Sequence, residues 1–149
     1  MLTWPLVPSS LMRVLAVDPG SRRVGLAVSD PTGTIAQPLT TLPADPRATL
    51  VDRLVAVARE QEAEALVVGL PRRLDGSLGP EAKEARALAE GLAAAAGLPM
   101  ALVDERLTSV AAERSLLASG VSRTRRRQLS DQVAATLILQ SYLDAESRR

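Results

Sequence analysis

The sequence predicts a single α/β domain built on a mixed five-stranded sheet with helices on both faces. Three observations point there. Apolar runs at residues 13–18, 23–29 and 34–42 are joined by short turns, so consecutive strands must run antiparallel. Two later apolar runs, 65–70 and 100–104, are each preceded by a long stretch with helical periodicity, which is what a parallel crossover requires. The length of 149 residues, with 46% hydrophobic and 23% charged residues, suits one domain with a full core.

Taken in order, residues 13–18 and 23–29 read as continuous buried strands. Residues 34–42 form a weaker third strand whose Pro38 suits a sheet edge. From Pro46 to about Glu62, Leu50, Leu54 and Val57 mark one helical face. Ala65 to Leu70 is the fourth strand. Pro80 starts a helix and Gly97 stops it, with Ala85, Leu88, Leu92 and Ala96 between them. Pro99 leads into the fifth strand, 100–104, and two helices follow, from about Ser109 to Ser119 and from about Gln128 to Ala145. Three hairpin-linked strands followed by right-handed crossovers make the ribonuclease-H-like order.

Residues 12–145 are expected to hold this domain, with 1–11 a flexible extension and 146–149 a tail. The opening segment lacks a basic region and is broken by Pro5 and Pro8, so it does not read as a signal peptide, and Met12 is a second candidate for the start of translation. No window reaches the roughly 18 apolar residues of a membrane span. With no Phe, and Trp4 and Tyr142 as the only aromatics, the core must be aliphatic. Cysteine and histidine are both absent, which excludes disulfides, thiolate or imidazole metal sites and Ser-His catalysis. Chemistry is left to carboxylates, hydroxyls and arginines.

Three acidic positions stand out. In Val14-Leu15-Ala16-Val17-Asp18-Pro19-Gly20 an apolar strand delivers a carboxylate to its end, and a glycine turn sends the chain back. A turn-forming role alone would explain Asp18. An acid at a buried strand end, however, also requires a cation or donors to satisfy it. In Leu102-Val103-Asp104-Glu105-Arg106 a second strand ends in acid, at the carboxyl edge where ligands of open α/β sheets bind; helix-dipole stabilisation is the plainer account. In the last helix Asp131 shares a stripe with Ala134, Ile138 and Tyr142, so it faces the sheet, a phase that an N-terminal cap role does not explain.

Carboxylates converging on one edge without nitrogen or sulfur donors suit hard cations, Mg2+ or Mn2+. Such ions can activate water and stabilise the leaving oxygen in phosphodiester cleavage, with Asp18 as the bridging ligand. All but Lys83 of the 18 basic residues are arginines, and they cluster beside these motifs: Arg22-Arg23, Arg72-Arg73, Arg106, and Arg123 with Arg125-Arg126-Arg127. Guanidinium forks match phosphate oxygens, so a nucleic-acid backbone is the expected ligand, against the alternative of solvated loops.

The segments DPGSRRVG within Val14–Val28, Val67-Val68-Gly69-Leu70-Pro71 with Asp75-Gly76, Asp104-Glu105-Arg106-Leu107-Thr108-Ser109, and Asp131 with Ala134-Ala135 together resemble the YqgF family, from Met12 to about Tyr142. The resemblance implies a ribonuclease-H-like, Holliday-junction-resolvase-like nuclease that matures the 5′ end of pre-16S ribosomal RNA in the bacterial cytoplasm. It implies an acidic triad of Asp18, Glu105 and Asp131. A precursor ribosomal RNA, with the ribosome as a possible partner, or branched or single-stranded DNA would be bound by a monomer or homodimer.

Two departures from the junction resolvases stand out. The fourth strand ends without an acid, and Gln128 occupies the position one turn before Asp131. The expected site is therefore leaner, and the number of metals stays open. Three further readings compete: a junction resolvase acting on branched DNA, an actin-like phosphotransferase, which would need a second such domain, and a non-catalytic RNA- or ribosome-binding module.

Overall fold

A computed structural model describes residues 2–3, 12–71, 77–104 and 123–147. Their elements are β1 (Leu2–Thr3), β2 (Val14–Pro19), β3 (Arg23–Ser29), β4 (Ala36–Pro43), a 3-10 turn (Arg47–Thr49), α1 (Leu50–Glu60), β5 (Ala65–Leu70), α2 (Pro80–Ala96), β6 (Met100–Asp104) and α3 (Arg123–Ser147). The strands form one sheet in the order β1-β6-β5-β2-β3-β4. β2, β3 and β4 pair antiparallel as a meander, while β5 and β6 lie parallel to β2 and to each other. These five strands form the ribonuclease-H-like sheet expected from the sequence. β1 adds a short antiparallel edge, with Leu2 opposite Val103 and Thr3 opposite Leu102, so part of the expected flexible extension is drawn onto the sheet. At the other margin Pro38 sits on edge strand β4, opposite Ala27 and next to a register shift at Leu26/Ala27. An edge is where a residue without an N–H is tolerated.

Strand alternation sorts the core into two layers. Leu15, Val17, Val24, Leu26, Leu66, Val68 and Leu102 face α1 and α2, where they meet Leu50, Leu54, Val55, Ala58, Ala89 and Leu92. Val14, Ala16, Ala27, Ala65, Val67, Ala101 and Val103 face α3, meeting Ala135, Ile138, Leu139, Tyr142 and Leu143. The second face is floored largely by alanine, and Ala16 stands beside both Ala27 and Val67, with Ala101 beyond. Small floor residues and Ala134-Ala135 on the helix let α3 lie close over β2, β3 and β4.

α2 begins with Pro80 at its first turn and stops at Gly97, whose left-handed conformation (φ 69°) and N–H bond to the Ala93 carbonyl close the helix. The last helix starts at Arg123, earlier than the expected Gln128, and runs through Ser147, past the expected end at Ala145. The helix expected at about 109–119 lies outside the described residues. No helix among the described residues is long and apolar enough to cross a membrane.

Candidate active site at the carboxyl edge of the sheet

The parallel strands β2, β5 and β6 all end at one edge, and Asp18 sits there. Ala16 faces α3, so alternation puts the half-buried Asp18 on the same face. Its direct neighbour on β3 is Gly25. On β5, the rung beyond Val17–Val68 brings up Gly69, itself opposite Val103. On both neighbouring strands the position beside Asp18 is therefore a glycine. Both glycines are buried.

The turn that follows is equally constrained. A Cβ on Gly20 would run into the Arg23 carbonyl oxygen, so the chain can reverse this tightly only without a side chain there. Two carbonyls of the turn are held: the Ala44 N–H, one rung beyond Arg23–Pro43 on the β3–β4 ladder, donates to the Arg22 carbonyl at 2.8 Å, and Arg47 Nη2 donates to that of Ser21 at 3.3 Å. A cavity of about 330 Å³ lies behind the turn, on the α1–α2 side, lined among others by Pro19, Ser21, Arg47, Glu84 and Leu88.

The position of α3 along the sheet follows from its polar anchor. Gln140 accepts from the Ala36 N–H at 2.9 Å and donates to the Thr34 carbonyl at 3.1 Å. Ala36 pairs with Ser29, whose hydroxyl accepts the Val14 N–H at 2.8 Å, so helix position 140 is level with the start of β2. Going back along the helix from 140 to 131 spans about 13 Å at roughly 1.5 Å per residue. Going forward along β2 from Val14 to Asp18 also spans about 13 Å at roughly 3.3 Å per residue. Helix position 131 thus lies nine residues from this anchor, ahead of the buried Ala134, Ala135 and Ile138. The Asp131 side chain lies outside the described residues.

The other expected site residues are distributed as follows. Asp104 ends β6 opposite Leu70. Alternation places it with Leu102, on the face opposite Asp18. Glu105, Arg72, Arg73 and Arg106 lie outside the described residues. Arg22 is exposed on the turn, and Arg23 opens β3 opposite Pro43, half-buried. Arg125, Arg126 and Arg127 fall in the opening turns of α3, where only the backbone is described. Among the described residues no three His, Cys, Asp or Glu side chains cluster as a metal centre.

Sequence reasoning missed Gly25 and Gly69. Each interrupts an otherwise apolar strand where a packed side chain would be usual, and the pairing register is what sets both beside the acid. It also missed that some arginines hold the fold rather than face a ligand. Arg13 donates from Nε to the Gln61 carbonyl at 2.7 Å, at the end of α1. Arg53 donates to the Pro43, Ala44 and Pro46 carbonyls at 2.6, 3.5 and 3.0 Å, and to Thr49 Oγ1 at 3.1 Å.

Comparison with known proteins bears on this arrangement. A family model described as RuvX, Holliday junction resolvase, matches residues 12–145. A protein of Moorella thermoacetica named "Putative pre-16S rRNA nuclease" is 52% identical over 133 residues, covering 89% of this chain and 95% of its own length. A Listeria monocytogenes protein of the same name is 45% identical over 135 residues, covering 89% and 98%. Among solved structures, T. thermophilus RuvC in complex with Holliday junction substrate matches with a TM-score of 0.62 at 21% identity, over 92% of this chain and 96% of that one. A second Thermus thermophilus RuvC structure matches at 0.56 and 17%, over 92% and 97%. At those identities the likeness is one of fold.

Proposed function

The chain belongs to the RuvX family, the YqgF group whose motifs it carries, and on that premise we propose that it is a divalent-metal-dependent nuclease acting in 5′-end maturation of pre-16S ribosomal RNA. The observation that carries this reading is Asp18: a half-buried carboxylate at the end of a parallel strand, with a glycine beside it on each neighbouring strand.

Asp18, Glu105 and Asp131 are the proposed catalytic and metal-holding residues. They offer oxygen donors only, in a chain with neither histidine nor cysteine, which fits Mg2+ or Mn2+. When bound, such an ion supplies Lewis acidity toward the phosphate and makes water a better nucleophile. The chain itself supplies position and charge. Asp18 is held by a strand paired on both sides, so its backbone is fixed before substrate arrives. The glycines beside it on β3 and β5 keep those two strands from crowding an approaching nucleic-acid backbone. Arg22, Arg23, Arg72, Arg73, Arg106, Arg125, Arg126 and Arg127 are proposed to grip phosphates around that edge. No side chain need act as a covalent nucleophile. This role places the chain in the cytoplasm, with the ribosomal precursor as its partner.

The test is cleavage of an RNA carrying the 5′ flank of 16S ribosomal RNA, with Mg2+, with Mn2+ and with chelator. The wild type should cut only with metal, and Asp18→Asn, which keeps shape but removes charge, should lose at least about a hundredfold in rate, or about 2.7 kcal/mol of barrier. Wild-type rates from Asp18→Asn would overturn the assignment, and binding without any cleavage would favour a non-catalytic module. A second reading follows from the description of the family model, cleavage of four-way DNA junctions. It requires two symmetric cuts and hence a homodimer, so the mass of the junction complex and the pairing of nicks separate it from the first.

A further inference from the structure

Resting on that nuclease reading, we infer that Arg53 is a positioning residue for the substrate-facing turn at Ser21 and Arg22, acting through the connection between β4 and α1. The observations form a continuous chain of bonds. Arg53, half-buried on α1, spends Nε, Nη1 and Nη2 on the Thr49 hydroxyl and on the carbonyls of Pro43, Ala44 and Pro46. Those bonds fix residues 43–46, where Ala44 is fully buried. The Ala44 N–H then holds the Arg22 carbonyl at 2.8 Å, and Arg47, from the same connection, holds the Ser21 carbonyl at 3.3 Å.

A turn that meets a polyanion must keep its own carbonyl oxygens away from it, because each carries partial negative charge. Here both are occupied, the Arg22 carbonyl by the next rung of the β3–β4 ladder and the Ser21 carbonyl by Arg47 just ahead of α1, while Gly20, Ser21 and Arg22 stay exposed. The arrangement leaves the Arg22 guanidinium as the charge the turn presents to a phosphate. Arg53 itself has no part in the contact. Lysine cannot replace it, since one ammonium lacks the planar fork that reaches several carbonyls at once.

The experiment is a double-mutant cycle on binding of a single-stranded RNA and of a four-way DNA junction, with melting temperature and the kcat-against-KM split measured for each variant. Arg22→Ala in the wild-type background should weaken binding about fivefold and raise KM, with kcat little changed. In an Arg53→Lys background, itself raised in KM, Arg22→Ala should weaken binding less than twofold further. Arg47→Gln, which frees the Ser21 carbonyl, gives up the exposed 4.0 Å ion pair with Glu84 and leaves the Arg53 contacts intact, should reduce the Arg22 effect part of the way; it serves where Arg53→Lys folds poorly. If the Arg22 effect is the same size in all three backgrounds, Arg53 and Arg47 support stability alone and the inference is wrong. It is equally overturned if Arg22→Ala binds as the wild type does while the wild type cuts. If the wild type neither cuts nor binds either probe, the nuclease reading itself falls, and the inference with it.

Discussion

Asp18 faces Gly25 directly across the β2–β3 pair, so the acid at the strand end has no cross-strand side chain. Directly opposed Cβ atoms stand about 4.5–5.5 Å apart, close enough for even a methyl group to crowd the carboxylate. Gly25 does not have positive φ, and glycine inside a strand is about 0.5–1 kcal/mol worse than alanine on entropy alone. Gly25→Ala should therefore leave the melting temperature within a few degrees while lowering single-turnover cleavage about tenfold. An unchanged rate would show that the space beside Asp18 is not used.

Metal should stabilise the fold through the same acid. With a dissociation constant of about 1 mM, 10 mM Mg2+ contributes about 1.4 kcal/mol by mass action, a rise of about 3–5 °C for a chain of this size. Asp18→Asn should abolish most of that rise. Scanning calorimetry of both proteins, with and without metal, decides it: equal shifts in the two would place the ion elsewhere.

Ser29 is the one fully buried polar residue among those described, and its hydroxyl closes the start of β2 by accepting the Val14 N–H at 2.8 Å and donating to the Met12 carbonyl at 3.3 Å. Alanine would leave a buried N–H without its acceptor, a cost of about 1–3 kcal/mol. Ser29→Ala should lower the melting temperature by several degrees without altering metal-dependent cleavage in its folded state. Urea denaturation measures the loss directly, and a change under about 0.5 kcal/mol would mean that water replaces the hydroxyl.

The β3–β4 turn predicts a pH dependence. The Ile35 N–H, the Thr32 hydroxyl and the Thr34 N–H all donate to the Asp30 carboxylate and lower its pKa from 3.8 to about 2. A folded pKa below the unfolded one means that the ionised form favours the fold. The contribution is complete above about pH 5 and is lost as pH falls from about 4 to 2. Asp30→Asn should remove that part of the acid sensitivity. The stability difference between the two proteins should shrink across this window and stay flat from pH 5 to 7; a difference that stays flat down to pH 2 would rule the turn out as its source.

The fold was legible wherever one residue's burial has one local cause. Apolar runs joined by short turns marked every strand of the meander, Pro38 marked the edge, and Pro80 and Gly97 bracketed α2. Distant partners left no such trace. Nothing near Arg53 announces that its bonds go to carbonyls in the connection before its helix, or that Arg13 meets Gln61 across 48 residues. Leu2 and Thr3 lie between residues too few and too mixed to show a strand period, and only the open edge of β6 makes them one. Helix α3 begins early because Arg123 and Arg125 to Arg127 are good helix formers without an apolar phase. The glycines beside Asp18 were visible as residues, but their meaning required the register.

That early helical start shapes the last prediction. Arg125, Arg126 and Arg127 stand on the opening turns of α3, ahead of position 131, and so toward the carboxyl edge where Asp18 ends its strand. Consecutive helical positions fan out by about 100° each, so three arginines in a row cannot all face one phosphate. One or two of them should contact the substrate. Replacing all three with alanine should weaken binding across unrelated sequences and flatten the dependence of log K on log salt by about one to two units, roughly one per lost contact. Cleavage at saturating substrate should fall far less than in Asp18→Asn, because charge that gathers the substrate is not charge at the scissile bond. The single variants should divide unequally, with the neighbour turned furthest from the edge nearly silent. An unchanged affinity and salt slope in the triple variant would leave this helix start a solvated surface and move the phosphate track to Arg22, Arg72 and Arg73.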